Sequence, residues 1–178
     1  MHAIVSLLDD IYSKQVEQLW AELEQRFGLK GVYALPFPRF SYQFAQNYAL
    51  AQLEPVLRDF ARKQIEFKLN TSGLGIFTGT LPTIFLPIIR SPALSQLHAA
   101  LWPAISKVAE AVDLYYQPES WLPHITLAQS DVSSQHLPEI IGWLNTQMLY
   151  WEIKVNNLAL LWDNGATVEL KLRCDFGS

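Results

Sequence analysis

Trp121-Leu122-Pro123-His124-Ile125-Thr126-Leu127-Ala128-Gln129 decides how the chain is read, because it sets an imidazole and a hydroxyl two residues apart in a segment with the composition of a buried strand. Side chains two apart on a strand share a face, so His124 and Thr126 project together while Ile125 and Leu127 pack behind them. An imidazole titrates near neutrality and suits proton transfer, and a hydroxyl beside it donates to a phosphoryl oxygen. A strand histidine is also commonly satisfied by a backbone carbonyl, so a second element of the same kind is needed before the pair reads as a site.

That second element is Pro38-Arg39-Phe40-Ser41-Tyr42, which repeats the layout of Pro123-His124-Ile125-Thr126-Leu127: proline, polar side chain, apolar residue, hydroxyl. Arg39 and His124 lie 85 positions apart in a chain of 178 residues, as a duplicated supersecondary unit would place them.

The paired arrangement resembles the two-histidine (2H) phosphoesterase superfamily, which includes bacterial 2′-5′ RNA ligase-like proteins and cyclic nucleotide phosphodiesterases. The second motif matches at His124 and Thr126, and the first at Ser41, with Arg39 standing where the family has its other histidine. Gln129 sits near the place of an arginine that the family often carries after its second motif. The resemblance implies two pseudo-symmetric lobes, each giving one strand to a shared cleft. One histidine would take a proton from the attacking oxygen and the other would protonate the leaving oxygen, while Ser41 and Thr126 bind the non-bridging oxygens. It calls for no metal and no cofactor. A guanidinium stays protonated and cannot act as a base, so Arg39 reads either as a phosphate clamp, its planar fork of donors matching two oxygens at once, or as a surface arginine after the proline loop.

Composition sets the outer limits. Half of the residues are hydrophobic and 17% are charged, which describes a folded chain able to bury a core without disulfides. A net charge of −4 argues against long duplex nucleic acid as a partner and leaves room for a small basic cleft holding a nucleotide or an RNA end. The single cysteine, Cys174, reads as a small apolar filler or surface thiol and fits a reducing, cytoplasmic setting. No basic leader or membrane-length apolar run is present, so no membrane partner is expected.

Hydrophobic spacing gives the order of elements. Ala3 to Leu8 reads as a strand; Asp9 or Asp10 caps a helix to about Phe27, ended by Gly28 and Gly31. The loop Leu35-Pro36-Phe37-Pro38 leads to a strand from Arg39 to about Ala45, and Leu50 to Gln64 is helical. Strands are expected at Ile65 to Asn70, Gly73 to Gly79 and Thr83 to Ile89. Pro92 opens a helix to about Val112 in which Pro103 predicts a kink or break. A helix over Ser134 to Met148 follows the His124 strand. Trp151 to Trp162 and Ala166 to Cys174 close the chain around an Asp163-Asn164-Gly165 turn. The expected architecture is one bilobal α+β domain over residues 1–178, with two mainly antiparallel sheets facing a central cleft and helices outside.

Of the other polar and aromatic residues, His98 and His136 read as exposed or cap-associated, and His2 as a fraying terminus. Tyr42, Tyr115, Tyr116, Trp121 and Trp162 are candidates to stack on a base, with core packing the commoner use of such rings. Three functions follow: a metal-independent phosphodiesterase acting on a 2′,3′-cyclic phosphate or 2′-5′ linkage of RNA or a nucleotide, a catalytically impaired nucleotide- or RNA-end-binding module of the same fold, or a domain without a phosphate site.

Overall fold

Strand β1 (His2–Leu7) is buried along its whole length because it is central: it pairs antiparallel with β2 (Arg39–Tyr48) on one side and β9 (Asn157–Asp163) on the other. A computed structural model describes residues 1–34 and 37–178, so Leu35 and Pro36 of the expected proline loop lie outside the described residues. Adding β10 (Val168–Asp175) beside β9 and β6 (Ala109–Val112) beside β2 gives a five-stranded antiparallel sheet in the order β10-β9-β1-β2-β6. A second antiparallel sheet has the order β4 (Gly75–Phe77), β5 (Thr83–Pro87), β7 (His124–Ala128). A two-stranded ladder of β3 (Phe67–Asn70) and β8 (Glu152–Val155) is linked to β5 by the bridge Thr71–Ile88. The second of the two expected sheets is therefore split into two ladders, the chain bending between β3 and β4.

The described residues hold four α-helices. Asp9 caps α1 (Asp10–Phe27), its carboxylate accepting from the backbone of Ile11 and Tyr12, and Gly28 closes it at φ +73°. Gly31 belongs instead to a short 3₁₀ turn, Gly31–Ala34. The apolar face of α2 (Leu50–Arg62) buries Leu53, Leu57 and Ala61, each leucine contributing roughly 1.5–3 kcal/mol. Ser91 caps α3 (Pro92–Ser106), and Pro103 sits inside it without breaking it; the helix ends three residues later. Ala109–Val112, expected as its continuation, is a strand because β2 offers it an unpaired edge. Helix α4 (Leu137–Leu144) is shorter than expected, starting at Pro138's turn and closing where Thr146 Oγ1 donates to the Trp143 carbonyl. No helix among the described residues is long and apolar enough to cross a membrane.

The segment expected as one run from Trp151 to Trp162 breaks at Asn156 and serves both halves: β8 joins β3 while β9 joins β1. The Asp163-Asn164-Gly165 turn forms as expected, with Gly165 at φ +88° and Asn164 Oδ1 accepting from the backbone of Ala166 and Thr167.

Two histidines differ from expectation. His98 is fully buried between α3 and β2, one ring nitrogen meeting the Tyr42 carbonyl at 3.0 Å. Burial pushes its pKa down to about 4, so it is neutral in the fold. His2 is buried and stacked on Trp162 at 3.5 Å, so the first strand is pinned rather than frayed. His136 is exposed at the start of α4, as expected.

Both motif strands are irregular at the same place. Ile4 pairs with Gln43 and Val5 with Ser41, so Tyr42 is an extra residue in β2. Ile84 pairs with Ala128 and Phe85 with Thr126, so Leu127 is an extra residue in β7. The first bulge is anchored by polar contacts: the Tyr42 phenol meets Ser6 Oγ at 2.9 Å, Ser6 Oγ donates to the Asn157 carbonyl, and the Asn157 amide exchanges two hydrogen bonds with the Leu7 backbone. Asn157→Ala strips both partners from a buried backbone pair. It is expected to cost about 1–3 kcal/mol, read as a lower urea midpoint with an unchanged slope.

Candidate active site

The bulges decide which side chains share the cleft. Under strict alternation Arg39, Ser41 and Gln43 would face one way. The extra residue reverses the pattern after Ser41, so Tyr42 and Gln43 are buried and Phe44 turns back beside Arg39 and Ser41. On β7 the same shift buries Leu127 and Ala128 and returns Gln129 to the face of His124 and Thr126. The polar tips of both strands line one cavity of about 380 Å³, walled also by Trp20, Phe77, Thr83, Tyr115 and Tyr116.

The duplication extends to the anchors. The Pro38 carbonyl accepts from Leu8 N, just beyond β1, and the Pro123 carbonyl from Ile88 N, just beyond β5. Trp121 Nε1 donates to the Ser41 carbonyl at 2.8 Å, and Trp20 Nε1 donates to the Thr126 carbonyl at 3.1 Å. Each hydroxyl-bearing residue is thus held through its carbonyl by an indole from the opposite half of the chain. Trp121 is locked in turn by the His98 ring, 3.9 Å away, and by Arg90, which donates to its carbonyl. The 3₁₀ turn is pressed on the end of β7: a Cβ at Gly31 would collide with the Gln129 carbonyl oxygen, and Lys30 N and Gly31 N both donate to Asp131 Oδ2.

His124 is half-buried. Its Nδ1–H donates to the Leu122 carbonyl at 2.7 Å, which fixes the tautomer and leaves Nε2 for the cavity. The rings of Phe77 and Phe85 lie 5.1 and 4.9 Å from the imidazole. Burial lowers the His124 pKa and the Arg39 charge lowers it further, against the Leu122 bond, so the neutral form dominates at pH 7. Arg39 Nη1 donates to the Phe37 carbonyl at 2.9 Å. Burial brings the guanidinium down to about 10, and it stays charged at neutral pH. Arg39 thus brings a permanent positive charge to a wall on which the described residues place no carboxylate. Among the described residues, no group of three or more His, Cys, Asp or Glu side chains is placed to hold a metal ion.

Of the sequence candidates, Arg39, Ser41, His124 and Thr126 come together, and Tyr115, Tyr116 and Gln129 join them. Tyr42 and Trp121 are core residues, and Trp162 lies against His2 away from the cleft. Sequence reading missed Phe44, Phe77, Trp20 and Thr83. Phe44 was hidden by the bulge, while Trp20 lies on α1, far in sequence from either motif.

A sequence model of the 2′-5′ RNA ligase superfamily matches residues 12–167. Among solved structures, the chain is similar to TT0787 of Thermus thermophilus, with a TM-score of 0.66 at 14% identity over 99% of this chain and 98% of that one. It is also similar to a phosphoesterase, with a TM-score of 0.57 at 13% identity over 98% and 97% of the two chains. Usb1 of Kluyveromyces marxianus gives 0.50 at 11% identity over 98% and 97%. At such identities the likeness is one of fold. No curated protein sequence matches the chain. With the family pattern running through all but the ends of the polypeptide, this chain belongs to the 2′-5′ RNA ligase superfamily.

Proposed function

We propose that the protein is a metal-independent phosphodiesterase acting on a 2′,3′-cyclic phosphate or 2′-5′ linkage at an RNA or nucleotide end. The observation that carries this reading is the convergence of Arg39, Ser41, His124 and Thr126 on one cavity from two strands with matching bulges and matching indole anchors. His124 is the general base, its Nε2 accepting the proton of the attacking oxygen. Arg39 clamps the phosphate, and the Ser41 and Thr126 hydroxyls donate to its non-bridging oxygens as negative charge grows there. A fixed positive charge suits a phosphodiester monoanion, and the aromatic rings of Phe77 and Tyr115 offer a nucleobase an apolar face.

A second reading has one observation in its favour: Arg39 neither accepts nor releases a proton at neutral pH, so the site of a two-histidine enzyme is half equipped for acid–base work. On that reading the protein binds nucleotide or RNA ends without turning them over. A silent parent that gains hydrolysis on Arg39→His would establish it.

His124→Ala is expected to lower turnover of a 2′,3′-cyclic nucleotide by about 10²–10⁴-fold, with EDTA leaving the parent rate unchanged. Activity that survives the substitution rejects the phosphodiesterase. Because a base works unprotonated, kcat/KM should fall as pH drops through the His124 pKa, which burial holds below the ordinary imidazole range. Arg39→Gln removes a cation that disfavours imidazolium. It is therefore expected to raise the His124 pKa, followed by NMR titration of the ring protons.

A further inference from the structure

The cavity has a base on one wall and, where the opposing acid is needed, a guanidinium that cannot supply a proton. The residue best placed to supply it is Tyr116. It lines the same cavity on a turn tied to β2, whereas His124 enters from β7, so the two reach the cavity from different sheets. Its short 3₁₀ turn, Leu114–Tyr116, is fixed at two points: Asp113 Oδ1 accepts from Tyr115 N, and Asp113 N donates to the Phe44 carbonyl of β2. The Tyr116 ring packs at 4.8 Å on Phe44 of the strand that carries Arg39 and Ser41, and the phenol and the Arg39 guanidinium lie within electrostatic reach of each other.

We propose that Tyr116 Oη protonates the departing ribose oxygen, with Arg39 beside it stabilising the phenolate that forms. This rests on the phosphodiesterase reading above and names its second proton-transfer residue. In the hydrolysis of a 2′,3′-cyclic phosphate, the water oxygen bonds to phosphorus while His124 Nε2 takes one of its protons. One ribose P–O bond breaks, and the freed oxygen takes the Tyr116 proton, leaving a phosphomonoester. Solvent then removes the proton from the imidazolium and returns one to the phenolate, restoring both groups.

The charged and titratable neighbours of Tyr116 fit this role. Asp113 and Tyr115 on its own turn oppose ionisation, and burial opposes it more, pushing the phenol up to about 12. Arg39 on β2 acts in the other direction, favouring the phenolate. Arg39 also interacts with His124, whose charged form it disfavours. The phenol therefore holds its proton throughout the range in which His124 is an unprotonated base, and the guanidinium that cannot donate a proton stabilises the group that has just done so.

Tyr116→Phe removes one oxygen and keeps the ring on Phe44. The test compares parent and variant on 2′,3′-cyclic AMP and on a 2′-deoxynucleoside 3′-(4-nitrophenyl phosphate), which has no 2′-hydroxyl to attack, so water is the nucleophile in both and the nitrophenolate departs without needing a proton. The expected result is a fall in kcat on the order of 100-fold on the cyclic nucleotide with a nearly unchanged rate on the nitrophenyl ester. Equal falls on both substrates, or no fall on the cyclic nucleotide, overturn the assignment. As a second readout, the parent rate on the cyclic nucleotide should hold level on the alkaline side of the imidazole range. A bell with both limbs inside that range also overturns the role of Tyr116. If instead His124→Ala leaves the cyclic nucleotide rate intact, the failure lies with the phosphodiesterase reading itself and takes the proposal with it.

Discussion

One surplus residue in each motif strand, Tyr42 in β2 and Leu127 in β7, shapes the cleft more than any other feature. A regular strand can turn only every second side chain toward a ligand. The bulge inserts a step into that rhythm just after the hydroxyl, so the next cleft-facing residue comes three positions on instead of two. Phe44 and Gln129 owe their places to it. The two residues buried in succession, Tyr42-Gln43 and Leu127-Ala128, anchor each strand in the core behind its motif. In β2 the anchoring is polar as well, through Ser6 and Asn157, which keeps the irregular backbone from slipping in register.

The electrostatics follow from burial. A guanidinium in a cavity walled largely by aromatic rings has little competing solvent, so its field inside the cavity is stronger than at an open surface. Burial also lowers the His124 pKa, and the Arg39 charge adds to that shift, so a permanent cation and a neutral imidazole share one cavity.

The local parts of this design were legible in the sequence. The Pro-x-apolar-hydroxyl repeat located both motif strands, the Asp9 cap and Gly28 bounded α1, and Asp163-Asn164-Gly165 marked the last hairpin. What escaped depends on distant partners. Ala109–Val112 carries the residue types of a helix and becomes a strand because β2 has a free edge there. The bulges are invisible without knowing which residue of β1 or β5 lies opposite. His98 looks like a surface histidine on α3 until β2 and Trp121 are packed over it. Tyr115 and Tyr116 were among the aromatic candidates, but their position in the cleft depends on Asp113 tying their turn to β2, a contact of high sequence separation.

Trp20, from the first half of the chain, grips the strand of the second, and Trp121, from the second half, grips the strand of the first. Neither half can finish its own share of the cleft, as neither contains the indole that holds its hydroxyl strand. Assembly of the cleft and docking of the two halves are therefore a single event, and any loosening between them reaches both motif strands at once. Although the repeat unit is still visible in each half, this reciprocal bracing has made the working unit the pair.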